Sequence, residues 1–222
     1  MGEAVRAQAE ARWGPAVGRL ANVTFALGTA ALVGNVVWRL PAAAWPLLLP
    51  VVVYEGMAAA FALVATRGRA YARTPGEVVL PILSTWLYPL AALALGDRVR
   101  RYGLALDGVD ALTLATYAWL VWALLVLRRN FSILPEVRTL VTRGPYAWIR
   151  HPLYLGYVVL WLVGAWETAD PTLILLALLS VALFERRAAM EERKLRSHVP
   201  AYAAYMARTW RLVPGLGRAP AR

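Results

Sequence analysis

The 222-residue sequence has no cysteine, two histidines (His151 and His198) and a single lysine, Lys194. Without thiols there is no disulfide, no thiolate nucleophile and no thiolate metal site, and two imidazoles fall short of the usual transition-metal ligand set. No protein-ligated metal is expected. A glycine-rich phosphate cradle after a strand is also missing, so neither a dinucleotide-binding domain nor a P-loop domain is indicated. Charge is scarce: Asp, Glu, Lys and Arg make up 17% of residues while 60% are hydrophobic, against roughly 25% and 45–50% in soluble domains. So little polar surface does not coat a globule in water, and the bilayer is the solvent that suits such a chain. The near-absence of lysine among 24 basic residues reads as a coding bias and says nothing of mechanism.

What the sequence does have is a series of uncharged runs: 20–38, 40–54, 78–96, 111–127, 153–166 and 171–184. A spanning helix needs roughly 17–25 residues. The first, third and fourth runs qualify directly, and the second qualifies if it continues through Glu55 to about residue 66. The last two, short and separated by the acidic turn 167–170, are expected to form a helical hairpin. The first run is too long for the apolar core of a signal peptide and should remain as an anchor. The expected fold is therefore all-α and integral to the membrane, a bundle of five to six transmembrane helices with a C-terminal helical hairpin. It forms one domain over 1–222, with the N-terminal helices in 1–127 and most of the polar chemistry in 128–222.

Counted between these runs, twenty of the 24 basic residues fall on one side. By the positive-inside tendency both termini, the loop 128–152 and the tail after residue 184 are cytoplasmic. The loop 96–110, with three arginines on the outer side, runs against that pattern. The same distribution accounts for the net charge of +11: basic residues at membrane edges meet anionic lipid headgroups, whereas a nucleic-acid surface would need a basic stripe on a soluble module. Anionic lipids at the cytoplasmic face are expected partners and nucleic acid is not. Nothing in the sequence fixes an oligomeric state.

Several polar residues need a reason. Glu55 lies well inside the second run, where a carboxylate is costly and normally faces a partner or a cavity. The plainer reading is a structural hydrogen bond to a neighbouring helix. No second intramembrane carboxylate accompanies it, so a proton pump or channel is not suggested. The segment 128–156 is polar, punctuated by proline and too elaborate for a connector. Within it, Pro152 suits the first position of a helix and would leave the N–H groups of Leu153 and Tyr154 free, an anion site at a positive helix end. Arg150 and His151 add side-chain donors there, unless Arg150 snorkels to headgroups and His151 merely starts the helix.

After the second hairpin helix, ERRAAMEERKLR (185–196) carries an apolar helix on into a charged one. Glu191, Leu195 and His198 share a face at i, i+4 and i+7, and Glu192 with Arg196 has the spacing of an ordinary ion pair. The tail then places Tyr202, Tyr205 and Arg208 near one face and ends at Pro214 and Gly215.

Taken in order, RNFSILPEVRTLVTRGPYAWIRHPLYLG, EERKL and PAYAAYMARTWRLVPG resemble the isoprenylcysteine carboxyl methyltransferase family, which is related to the phospholipid methyltransferases. The resemblance covers about 128–215; the earlier runs resemble the family in hydrophobicity alone. It implies a small integral-membrane enzyme whose C-terminal half binds S-adenosylmethionine at the cytoplasmic face, with a lipophilic acceptor entering from the bilayer. Tyr146, Arg150, His151, Pro152, Tyr154 and Gly156 match the first cofactor motif, Glu191 and Glu192 the second, and Tyr202, Tyr205 and Arg208 match the tail more loosely. Val199 departs from the phenylalanine common before the Tyr-x-x-Tyr stretch.

A methyl donor of this kind carries a carboxylate, an ammonium, a sulfonium and an adenine. Arg150, His151 and the helix start suit the carboxylate, Glu191 or Glu192 the ammonium, and Tyr146, Tyr154 or Tyr205 the ring. Gly156 would let the cofactor or a neighbouring helix approach the backbone. Methyl transfer is an in-line displacement governed by orientation and a dry site. A carboxylate acceptor arrives ionised and Arg208 would position it. An amine must shed a proton, for which Glu191, Glu192 and His151 are the nearest bases. Three readings therefore stand: methylation of an isoprenylcysteine-like carboxylate, N-methylation of a phospholipid amine, and a non-catalytic transport or scaffold protein with Glu55 as its transport residue.

Overall fold

The computed structural model describes residues 3–39, 45–72, 74–95 and 108–215. Seven α-helices account for most of them: α1 (Glu3–Arg39), α2 (Trp45–Leu63), α3 (Pro75–Ala94), α4 (Gly108–Leu127), α5 (Pro152–Thr168), α6 (Pro171–His198) and α7 (Tyr202–Arg208). Two isolated bridges, Ala70 with Val137 and Ile149 with Trp210, are the sole β pairings among the described residues. Among the described residues, three stretches are long and apolar enough to cross a membrane: Gly14–Trp38, Pro75–Ala94 and Gly108–Asn130. The second run was expected to reach residue 66, but α2 stops at Leu63. Its predicted start at 40–44, and the basic loop 96–107, lie outside the described residues.

Local chemistry sets the helix ends. Thr74 caps α3 by accepting the Glu77 N–H at 3.3 Å, with Pro75 at the first helical position. Pro152 starts α5 in the same way. The predicted hairpin turn is present: Ala169 closes α5 in the left-handed region (φ 49°), and Asp170 caps α6 by accepting from the N–H groups of Thr172 and Leu173 at 2.8 and 3.2 Å. α6 then runs unbroken for 28 residues, about 42 Å at 1.5 Å per residue, so its charged half projects rigidly from its apolar half.

The helices pack in the order α1 with α2, α2 with α4, α4 with α5, α5 with α6, and α6 with α3. Between α5 and α6, Phe184 stacks on Tyr154 and Trp161 with ring centroids 4.9 Å away in each case. Gly156 faces α4, where an added Cβ would sit 2.4 Å from Leu120 Cδ2. Of the two readings of this glycine, close approach by a neighbouring helix is the one observed.

The segment 128–151 is packed, with Phe131, Ile133, Leu134 and Val137 buried. Asn22 of α1 ties it to the bundle, donating to the Ala62 carbonyl at 3.0 Å and accepting from the Ile133 N–H at 3.3 Å. Thr66 N–H donates to the Arg129 carbonyl at 2.8 Å, and Arg69 N–H to that of Val137 at 2.7 Å. The end of α2, the start of α3, the end of α4 and the start of α5 are thereby gathered at one end of the bundle.

Candidate active site

At that end the C-terminal tail lies alongside the start of α5. Trp210 N–H donates to the Trp148 carbonyl at 2.9 Å, Arg150 N–H to Trp210 at 2.8 Å, and His151 N–H to Arg211 at 3.1 Å. Side chains lock this arrangement. Arg150 Nε donates to Glu192 Oε1 at 2.6 Å, and its Nη1 donates to the carbonyls of Met206, at 3.1 Å, and Thr209. Arg211 reaches the other Glu192 oxygen from Nη2 at 2.8 Å and Glu185 from Nη1 at 3.2 Å. The arginine-histidine-proline corner and the twin-glutamate helix thus meet directly, although 42 residues separate Arg150 from Glu192.

The two glutamates divide their tasks. Glu192 is buried behind the corner and held by two arginines. Burial pushes its carboxyl up, but His151, Arg211 and Arg150 together outweigh that and hold it at about 2, below the ordinary 4.5. So permanent an anion is a poor proton acceptor near neutral pH, which removes Glu192 from the candidate bases. The expected Glu192–Arg196 pair is replaced by these contacts.

Because the folded value is depressed, the stabilisation is complete above about pH 4.5 and is lost as pH falls toward 2. The melting temperature of the wild type should therefore fall more steeply across that window than that of Glu192→Gln, with both starting from their own plateaus. Parallel acid limbs would contradict the assignment.

Glu191, in contrast, lines a cavity of about 170 Å³ beneath the corner. Tyr154 donates to its Oε1 at 2.6 Å and Arg187 Nε at 3.1 Å, and His151 Nδ1 lies 3.8 Å from its Oε2. Tyr154 lies parallel to His151, centroids 5.1 Å apart, with the Arg187 guanidinium 4.9 Å from its ring centre. Tyr146, Tyr157, Tyr202 and Tyr205 also line the space, and Tyr205 fixes one wall by donating to the Tyr146 carbonyl at 2.6 Å. Burial pushes the Tyr146 hydroxyl well above its ordinary range, so it stays protonated.

Four buried polar atoms of lining residues have no hydrogen-bond partner among the described residues: Tyr146 Oη, Ser132 Oγ, Arg138 Nε and His151 Nε2, the last 3.5 Å from Glu192 Oε1. Buried polar groups left open beside a carboxylate and several aromatic rings fit a ligand with cationic, polar and planar parts. That description suits S-adenosylmethionine: Glu191 would hold its ammonium, the tyrosines its adenine, and the Tyr146, Ser132 and His151 atoms its remaining polar groups.

Other expectations need correction. The Tyr154 N–H is not free, since it donates to the His151 carbonyl at 3.1 Å. Arg150 is engaged with Glu192 and the tail, so it builds the cavity wall before it meets any ligand. Arg208 is exposed on α7 with its guanidinium 6.0 Å from the Tyr205 ring centre, and it does not line the cavity. His198 turns away from the Glu191 face and bonds locally to Ser197 and the Lys194 carbonyl. Val199 packs with Tyr202, Tyr205 and Met206.

Two residues that were not singled out prove central. Buried Arg187 joins α6 to Ile133 through a 2.6 Å bond to its carbonyl and to α3 through Thr85 at 2.9 Å. Its position four before Glu191 is the signal for it. Lys194, set aside as uninformative, is buried and paired with Glu77 at 3.0 Å. Among the described residues, the hydrogen bond expected from Glu55 to a neighbouring helix is not found: it is Tyr54 that crosses to α5, its hydroxyl 2.6 Å from that of Tyr157.

Helices able to span a bilayer, with a polar cavity built at one end of the bundle, define a membrane protein with a small-ligand site at its edge. Residues 109–197 match the model of the Isoprenylcysteine carboxyl methyltransferase (ICMT) family. The match supports the resemblance read from the sequence and indicates a methyltransferase. It begins upstream of the quoted motifs, taking in α4, and stops before α7. No curated protein matches the chain.

Proposed function

We propose that the protein transfers a methyl group from S-adenosylmethionine to a lipophilic acceptor at the membrane, nearest in kind to an isoprenylcysteine carboxylate. The observation that carries this reading is the convergence of Glu191 with the unpartnered atoms of Tyr146 and His151 in one cavity, within the segment similar to a methyltransferase family. The bound donor supplies an electrophilic methyl group on a sulfonium. The chain's own residues do the rest: Glu191 and the tyrosines bind and orient, while the tail strapped down by Arg150 and Arg211 excludes water.

A carboxylate acceptor arrives ionised and needs no base, which suits a site whose Glu192 is a committed anion. N-methylation of a phospholipid amine is the second reading, with Glu191 or His151 as the base. In this account the bundle crosses the bilayer five to six times, with the corner, the tail and both termini on the cytoplasmic side.

Label from the cofactor's methyl group, supplied with either a farnesylcysteine analogue or phosphatidylethanolamine, distinguishes the two. Product label released as methanol by mild base is expected, because esters hydrolyse and methylamines do not. Base-stable label on the phospholipid would favour the amine reading, and no transfer to either would overturn both.

A further inference from the structure

A groove of about 630 Å³ lies between the first half of α1, the end of α2 and the segment 128–151. Asn22 sets its register, since its bond to the Ala62 carbonyl holds the start of the uncharged run of α1 against the last turn of α2. Arg19 immediately precedes that run, 20–38, and Arg67 follows the end of α2. Both line the groove, together with Arg138 and Glu136.

Three arginines against one glutamate leave the lining with a net charge of +2. The glutamate is already engaged. Arg138 Nη2 donates to its Oε2 at 2.8 Å, and its carboxylate is seated between two glycines: an added Cβ at Gly18 would collide with Oε1, and one at Gly68 would lie 3.0 Å from Oε2. Glu136 and Arg138 therefore form a fixed wall, which the groove shares with the cofactor cavity.

Arg19 and Arg67, in contrast, are exposed, and their side chains have no hydrogen-bond or ion-pair partner among the described residues. Beside them the groove turns apolar, with Leu20, Val23 and Leu63 lining it at 67%, 37% and 57% exposure. Two unpaired guanidiniums suit a phosphate, to which each presents a fork of donors. The apolar side chains suit an acyl chain, and a soluble phosphate would leave them bare. A glycerophospholipid has both parts, and the positive groove favours one whose headgroup is anionic.

We propose that this groove binds an anionic glycerophospholipid, with its phosphodiester on Arg19 and Arg67 and an acyl chain along Leu20, Val23 and Leu63. The inference gives the anionic lipid expected from the charge distribution a particular site. It goes beyond the methyl-transfer reading and does not depend on it: the lipid is a bound partner here, not the acceptor. Arg186 and Arg193 supply the contrast. They are equally exposed, but the groove they line, between α3 and α6, has no exposed large apolar side chain among the described residues.

The test uses native mass spectrometry of the full chain in detergent, which counts bound lipid as phosphatidylglycerol, or phosphatidylcholine with the same acyl chains, is added. One phosphatidylglycerol should bind saturably, about tenfold more tightly than phosphatidylcholine, as two basic residues at one headgroup imply. Arg19→Gln with Arg67→Gln should abolish that preference. Arg186→Gln with Arg193→Gln, which removes the same formal charge, should keep it. Glycerol 3-phosphate, a phosphate without acyl chains, should not compete where the lipid saturates.

Equal affinity of the wild type for both lipids, a preference that survives in the Arg19 and Arg67 double variant, or equal loss in the two double variants would overturn the inference. Displacement by glycerol 3-phosphate would overturn it too, by showing a site for soluble phosphate. An unchanged melting temperature without added lipid reports that the double variant is folded; should it not fold, the single variants decide, each losing part of the preference. Phosphatidylglycerol offers neither an amine nor a carboxyl group, so every outcome is read independently of methyl transfer.

Discussion

Arg150→Ala should release the C-terminal tail, lower the melting temperature more than any exposed substitution, and weaken cofactor binding with it. Both partners of the Arg150–Glu192 pair have side chains at most 3% exposed. Leaving a buried charge wholly unmatched typically costs about 3–5 kcal/mol; removing Arg150 withdraws one of the two arginines that hold Glu192 and leaves the carboxylate to Arg211, so the loss on this account is a part of that. Here the loss is compounded, because Arg150 also satisfies the Met206 and Thr209 carbonyls. Replacing both partners by apolar residues of similar size, Arg150→Met with Glu192→Leu, should restore part of the stability, since the buried carboxylate that lost a partner is gone and Arg211 keeps Glu185. Thermal melts in detergent check both outcomes. A wild-type melting temperature in Arg150→Ala would mean that the corner does not hold the tail.

Glu191→Gln should have a different profile, with a smaller fall in melting temperature, because buried Arg187 loses its carboxylate partner but keeps its other bonds, and a loss of cofactor affinity of about tenfold to a hundredfold. A charge-assisted hydrogen bond contributes roughly 1.5–3 kcal/mol, and each 1.4 kcal/mol is a factor of ten. The substitution preserves volume and an oxygen able to accept from Tyr154, and Arg187 keeps its bonds to Ile133 and Thr85. What is removed is the negative charge lining the cavity. Calorimetry with S-adenosylhomocysteine measures the effect, and unchanged affinity would show that the cavity-facing carboxylate is not part of the cofactor site.

The contrast between these neighbours explains how far the sequence could be read. Helix starts were legible where a local signal marked them, as at Pro152 and at the acidic turn ending in Asp170, because such end effects are local, whereas the Thr74 cap of α3 lies ahead of the uncharged run and was not read. The corner and the glutamate helix were legible as an ordered set of motifs. Their separate duties were not: adjacent residues on a helix point about 100° apart, and which one faces the cavity is set by the packing of Phe184 against α5. Arg187 passed for a residue at a membrane edge, since its partners in α3 and the 128–151 segment are distant in sequence. Arg211 sits in a tail with no periodicity to fix its direction. For Glu55, composition marked the residue, but packing alone reveals that Tyr54 takes the contact with α5 and leaves the carboxyl group facing a cavity.

The most direct measurement is titration of S-adenosylhomocysteine into purified, folded protein in detergent, carried out in parallel on the wild type, Glu191→Gln and Glu55→Gln. Saturable binding by the wild type, at least tenfold weaker in Glu191→Gln and nearly unchanged in Glu55→Gln, is the predicted result. No binding to a folded wild type, or equal affinity in all three proteins, would contradict a methyl-donor site between the start of α5 and the charged half of α6.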